Sequence, residues 1–314
     1  MAAALSAFQL SDGAGRSVTT EMMDAIYSHV SADELARDVV VVEHVGDGVV
    51  GYGRTGSEDT PEGRAQFFVA PIVPAHLHRP LFMALVAGLE QRARQRAAVD
   101  PGFAHFIRTW TTHPGPGGPV DDSVARWLED AGYHPARFGA TMLRQHLEAV
   151  PERRLPPGVE LRAVRVEDLR AIWEADAEAC AGSYGVREPT ETEWLDFRDN
   201  PLNDTSMWKV AWSGDVIVGQ VRAFVNHQEN EEMNRRRGYT EFISTHVDWR
   251  GRGIASALLA ASVREVRDRG MHEAALRVDT ENPADAFAIY ERLGFRLTGY
   301  EAIMEKPILS ATAL

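Results

Sequence analysis

Glu241-Phe242-Ile243-Ser244-Thr245-His246-Val247-Asp248-Trp249-Arg250-Gly251-Arg252-Gly253-Ile254-Ala255 is the stretch that decides how this 314-residue chain is read. A β-branched run gives way to a glycine-bearing turn. After the turn, Ile254, Leu258, Leu259, Val263 and Val266 recur at helical spacing until Gly270 ends the run. The order is strand, tight turn, helix. Gly251 and Gly253 lack a Cβ, so the backbone between them can aim several N–H groups at one point, with Arg250 and Arg252 adding positive charge beside it. Because a helix N-terminus carries unpaired N–H donors and partial positive charge, the stretch reads as a cradle for a phosphate-bearing ligand. A plain connector between strand and helix is the alternative.

A second segment narrows the choice. Asp279-Thr280-Glu281-Asn282-Pro283 opens a helix with Asn before Pro, and Gly294 closes it ahead of Phe295. Together the two segments resemble the GCN5-related N-acetyltransferase (GNAT) superfamily. Its acyl-CoA signature, Gln/Arg-x-x-Gly-x-Gly/Ala, is met by Arg250, Gly253 and Ala255, and its later Asn, Tyr and Gly-Phe positions by Asn282, Tyr290, Gly294 and Phe295. The match is specific over residues 239–306 and architectural elsewhere. Neither a Rossmann G-x-G-x-x-G register nor a Gly-Lys-Ser/Thr ending is present.

The resemblance implies an α/β fold with a mixed α+β sheet, acetyl-CoA as co-substrate, and acetyl transfer to a primary amine of a small molecule or peptide N-terminus. Arg250, Gly251, Arg252, Gly253, Ile254 and Ala255 are then expected to hold the pyrophosphate. Ile243, Ser244 and Thr245 run beside the pantetheine arm, with a backbone N–H near Thr245 polarising the thioester carbonyl. Asn282 either touches the CoA arm or only caps its helix. Tyr290 is the expected general acid, since a phenol with an ordinary pKa of about 10 is protonated at pH 7. Glu241 is the expected base: strict alternation places it on one strand face with Ile243 and Thr245, and His246 on the other. Trp173, Asp176 and Tyr184 are the expected acceptor-side residues. Cys180 is unsuited as a nucleophile, as nothing places a histidine beside it.

Composition bounds the rest. The hydrophobic content of 44% with 25% charged residues is that of a globular protein, and the net charge of −13 argues against a nucleic-acid partner. A single cysteine excludes an intrachain disulfide and a cysteine-rich zinc site, which suits a cytoplasmic protein. No run of apolar residues is long enough for a membrane span, and the first ten residues do not read as a signal peptide. No metal is expected: His76 and His78 share one face of an extended segment, but no carboxylate or cysteine accompanies them in sequence.

The chain also repeats itself. Asp47 and Gly51 match Asp215 and Gly219 at a common offset of 168, and Gly132-Tyr133 matches Gly294-Phe295 at an offset of 162. A proline-bearing linker at 148–158 separates two expected domains, 1–150 and 151–314. The layout is similar to the tandem arrangement of mycothiol synthases. In the first copy the ligand turn falls within 67–82, which has no glycine; Pro74 and Pro80 each remove an N–H, and Leu128 stands where the second copy has Tyr290. The first copy therefore reads as a degenerate domain. A charged run over 226–238 reads as surface, or as a lid over the acceptor. Two competing functions are a non-catalytic acyl-CoA-binding scaffold and hydroxyl rather than amine acylation.

Overall fold

A computed structural model describes residues 1–10, 20–28, 30–100, 104–118, 123–183, 188–281 and 286–308. The chain divides into two compact units, Met1–Gly139 with Gly299–Leu314, and Ala140–Thr298. The first holds α1 (Ala2–Leu10), α2 (Thr20–Tyr27), α3 (Ala32–Asp38), β1 (Val39–His44), β2 (Gly48–Thr60), β3 (Gly63–Val69), α4 (Arg79–Val99), β4 (His105–His113), α5 (Val124–Asp130) and the start of β5 (His134–Gln145). The second holds the end of β5, then β6 (Glu160–Arg162), α6 (Leu169–Cys180), α7 (Glu191–Arg198), β7 (Lys209–Ser213), β8 (Val216–Phe224), α8 (His227–Glu232), β9 (Arg237–Thr245), α9 (Ile254–Asp268), β10 (Glu273–Asp279) and α10 (Ala286–Arg292). The last strand, β11 (Arg296–Pro307), runs from the second unit into the first.

Within unit 1 the strand order is β1-β2-β3-β4-β11, and within unit 2 it is β5-β10-β9-β8-β7-β6. Each copy of the repeat thus gives up its closing strand. Residues 140–150 belong with unit 2, and β11 pairs antiparallel with β4 from Tyr300↔His113 to Pro307↔Phe106. A single cut at 150/151 therefore does not follow the compact units, because ladder bonds rather than sequence proximity assign a strand to its sheet.

The repeat is visible bond by bond. In α5 and its exit, Ala131 N donates to Leu128 O, Gly132 N to Glu129 O and Tyr133 N to Leu128 O. In α10 and its exit, Leu293 N donates to Tyr290 O, Gly294 N to Glu291 O and Phe295 N to Tyr290 O, over the same lengths within 0.1 Å. Gly132 and Gly294 both take positive φ, 89° and 86°, as a left-handed helix exit requires.

Helix α9 shows why its sequence folds as it does. Ile254, Leu258, Leu259, Val263 and Val266 are buried, and Ile254 and Leu258 form one apolar cluster with Ala211, Val218 and Val221 of β7 and β8. Close approach requires Gly219: a Cβ there would stand 2.8 Å from Ile254 Cγ2 and 3.2 Å from Leu258 Cδ1. In unit 1, Gly51 is under the same constraint, 2.9 Å from Pro71 O. The charged run at 226–238 is partly inside the protein: Glu229 is fully buried and accepts from Tyr239 Oη and Arg235 Nη2, both at 2.5 Å. Its helix α8 joins the end of β8 to the start of β9, so it lies at the opposite end of β9 from the glycine turn. Among the described residues no helix is long and apolar enough to cross a membrane.

Gly219→Val should lower stability by about 1–3 kcal/mol through overpacking against α9. Urea unfolding followed by circular dichroism measures it, and an unchanged midpoint would contradict this packing.

Candidate active site

The turn after β9 leaves a helix N-terminus without an internal cap. A 3-10 turn, Val247–Trp249, leads to Gly251 and Gly253 at φ 74° and 79°, and Gly253 is the N-cap of α9 with no side-chain cap bond. The first donor back into the helix is Ala257 N, to Gly253 O at 3.0 Å. The N–H groups ahead of it point out of the helix end. A Cβ built on Gly251 or Gly253 meets nothing within 4 Å, so the space in front of the turn is open, and left-handed φ holds the peptides in the orientation that exposes them. Such a site fits a pyrophosphate.

Both arginines of the turn help to shape it. Arg250 donates from Nη2 to Ala179 O at 2.7 Å and from Nε to Thr245 O at 3.4 Å, tying the turn to the end of α6. Arg252 donates to Asp248 O at 3.0 Å and lies 4.6 Å from the Trp249 ring centroid. Their charge is held beside the exposed amides. Ile254 is buried and Ile243 packs against the α9 cluster, so these two offer a ligand their backbone only. Asn282 and Tyr184 lie outside the described residues.

Ahead of the turn, the sheet of unit 2 opens along β9. Strands β9 and β10 are parallel, but their register runs only from Arg237↔Glu273 to Tyr239↔Ala275, while β9 continues to Thr245 and β10 to Asp279. Beyond Tyr239, the edge of β9 toward β10 is outside the ladder. An extended arm with amide groups can pair there.

The expected alternation along β9 fails. Phe242 takes φ 50°, and opposite it the β8 register skips: Gln220↔Ser244 is followed by Arg222↔Glu241. One extra residue is accommodated in β9 as a bulge. Glu241 therefore shares its face with Ser244, Gln220 and Arg222, and not with Ile243 and Thr245 as strict alternation predicts. This is the α6 face, since Gln220 Nε2 donates to Ile172 O at 2.8 Å and Arg222 Nη2 to Asp176 Oδ2 at 2.6 Å. Ile243 and Thr245 look toward α9 instead.

Sequence reading missed Arg222, Phe242 and the rings around them. Arg222 is only 6% exposed, and its guanidinium carbon lies 4.0, 4.9 and 5.8 Å from the ring centroids of Phe242, Phe197 and Trp208. A further aromatic run, Trp173 to Trp194 to Phe197 to Trp208, continues at centroid spacings of 5.6, 5.6 and 5.8 Å. Burial lowers the Arg222 pKa and the Asp176 carboxylate opposes that shift. One signal was available: a lone arginine inside the apolar strand Val216–Phe224 demands a buried partner. On this face, then, Asp176, Arg222 and Glu241 come together, while half-buried Trp173, three residues before Asp176 on α6, packs against Trp194.

Tyr290 is buried in α10, edge-on to Phe295 with centroids 6.4 Å apart, and burial pushes its phenol up to about 12. Cys180 is raised to about 11 by burial and then by Asp176, which keeps the thiol protonated and unreactive at neutral pH. His246 accepts from Asp248 N through Nδ1 at 3.3 Å, with Nε2 3.7 Å from Glu178. A cleft of about 580 Å³, lined in part by His227, Arg236, Arg269 and His272, lies at the far end of β9, away from all these groups.

The sequence profile described as the acetyltransferase (GNAT) family matches residues 166–295. A mycothiol acetyltransferase of Streptomyces scabiei (strain 87.22) is 30% identical over 256 residues, 80% of this chain and 74% of that protein. Among solved structures, a GCN5-related N-acetyltransferase from Sphaerobacter thermophilus is similar with a TM-score of 0.72 at 23% identity, over 98% of this chain and 92% of that one. A tandem GNAT protein from the clavulanic acid biosynthesis pathway has a TM-score of 0.67 at 15% identity, over 98% and 94% of the two chains.

Removing Asp176 strands a buried guanidinium. Asp176→Ala should destabilise the fold by about 3–5 kcal/mol, and adding Arg222→Met should restore most of that loss. Denaturant unfolding of the single and double variants measures both; a double variant no better than the single one would show that the ion pair is not the cause.

Proposed function

The chain belongs to the GNAT acetyltransferase family, and from that premise we propose that unit 2 transfers the acetyl group of acetyl-CoA to the primary amine of a small molecule or a peptide N-terminus. One observation carries the reading: the stretch of β9 beyond Tyr239, outside the ladder with β10, leads at its end into the turn that forms the uncapped N-terminus of α9. A long co-substrate with a pyrophosphate at one end and an amide-bearing arm at the other suits that pair of features. Acetyl-CoA supplies an activated acyl carbon. The chain's own residues must bind it, take a proton from the amine and give one to the departing sulfur.

The exposed amides from Gly251 to Ser256 receive the pyrophosphate, and the open edge of β9 at Ile243 to Thr245 receives the arm. A β9 amide near Thr245 polarises the thioester carbonyl. The acceptor amine enters from the α6 face, among Asp176, Glu241 and the rings of Trp173 and Phe242. An alkylammonium with a pKa of about 10 is protonated at neutral pH, and this face offers carboxylates and aromatic surfaces suited to it. Glu241, carried to this side by the bulge, accepts the amine proton directly or through water. The similarity to a mycothiol acetyltransferase supports a small-molecule acceptor.

Tyr290 donates to the leaving thiolate. Because burial raises its pKa to about 12, the phenol stays protonated through the ordinary titration range of tyrosine. The proton-donating form is present below about 12 and lost above it, so catalysis should show no fall near pH 10 from this group.

Thiol release from acetyl-CoA, measured across a panel of primary amines with mass analysis of the products, tests the reading. N-acetylated product is expected, and Tyr290→Phe should lower kcat by about 10²–10⁴ with little change in acetyl-CoA affinity. Ester products only, or binding without turnover on any amine, would overturn it.

A further inference from the structure

Unit 1 brings together three side chains that the sequence does not connect. His44 closes β1, Asp47 stands in the turn before β2, and His76 ends the 3-10 turn Pro74–His76 ahead of α4. His44 Nδ1 lies 2.9 Å and His76 Nε2 3.1 Å from the same oxygen, Asp47 Oδ2. The three donor atoms all lie within 4.8 Å of one another, and the two imidazole centroids are 4.7 Å apart. His78, the neighbour suggested by sequence spacing, is not part of the group: its Nδ1 accepts from Leu81 N as the cap of α4.

Two rigid pieces of backbone hold this arrangement. Gly46 and Gly48, at φ 126° and 73°, bend the hairpin tip. On the other side, Val73 N donates to Val50 O at 2.8 Å, His76 N to Val73 O at 2.8 Å, and Gly51 bridges Ile72, so the proline turn is fixed against the same hairpin. Among the described residues, no Lys or Arg lies within ion-pair distance of the Asp47 carboxylate.

We propose that His44, Asp47 and His76 form a binding site for a divalent transition-metal cation of the zinc type, with the remaining coordination position open to water. Two imidazoles and one carboxylate are donors that zinc accepts, at bond lengths of about 2.0–2.2 Å, which places neighbouring ligand atoms of a tetrahedral complex roughly 3.4 Å apart. The separations from Asp47 Oδ2 are close to that edge, so small side-chain rotations suffice. His44 and Asp47 are at least half exposed, which leaves the ion a path in and a place for water. Bound there, the metal clamps the hairpin tip to the turn that precedes α4.

The probe is zinc chloride alone, titrated calorimetrically into the 314-residue chain carrying no affinity tag, with cobalt chloride absorption as a readout of coordination. One equivalent should bind, cobalt should give the intense visible bands of a four-coordinate site, and zinc should raise the thermal midpoint. His44→Gln, His76→Gln and Asp47→Asn should each weaken zinc binding at least tenfold and abolish the thermal shift, while His78→Gln should leave both unchanged. His44 and Asp47 are exposed and His76 is partly buried, and far-ultraviolet circular dichroism verifies that each variant is folded. No binding by the wild-type chain, or equal binding by the His44 and His76 variants, overturns the proposal.

Discussion

Unsatisfied main-chain amides at the start of α9 are the constraint from which the organisation of unit 2 follows. The first N–H groups of a helix have no partner within it, and helix starts ordinarily find one in a capping side chain. Gly253 offers none, and its left-handed backbone together with that of Gly251 keeps the amides turned outward. The helix behind them is anchored by Ile254 and Leu258 against the β7–β8 side of the sheet, so the exposed donors sit on a rigid base.

The copy in unit 1 resolves the same problem internally. There, His78 caps α4 by accepting from Leu81 N, and Pro80 in the first turn has no N–H to satisfy. The helix end is closed by its own sequence, and no anion is needed. Leu128 occupies the position of Tyr290, with identical backbone bonding at the helix exit and no proton to give. Both differences fall on unit 1.

Much of this was legible in the primary structure, for local reasons. The strand, turn and helix over 241–268 follow from β-branching, two glycines and a helical apolar repeat, and the helix exits at Gly132 and Gly294 reappear as matching bonds. What escaped sequence reading depends on long-range pairing. The exchange of β5 and β11 leaves no local mark, because a strand pattern does not name its neighbour. The bulge at Phe242 has no Gly or Asn to announce it, and one extra residue reverses which face Glu241 presents. Asp176 and Arg222 are 46 residues apart, and His44 meets His76 only after the hairpin has formed.

Amide hydrogen exchange with and without acetyl-CoA tests the account at its root, since it reads the main-chain donors themselves. Saturating acetyl-CoA should slow exchange of the amides at 251–256 and along 243–245, and leave those at 78–82, in the capped counterpart, unchanged. Protection confined to the start of α4, or no protection at the start of α9, would contradict it.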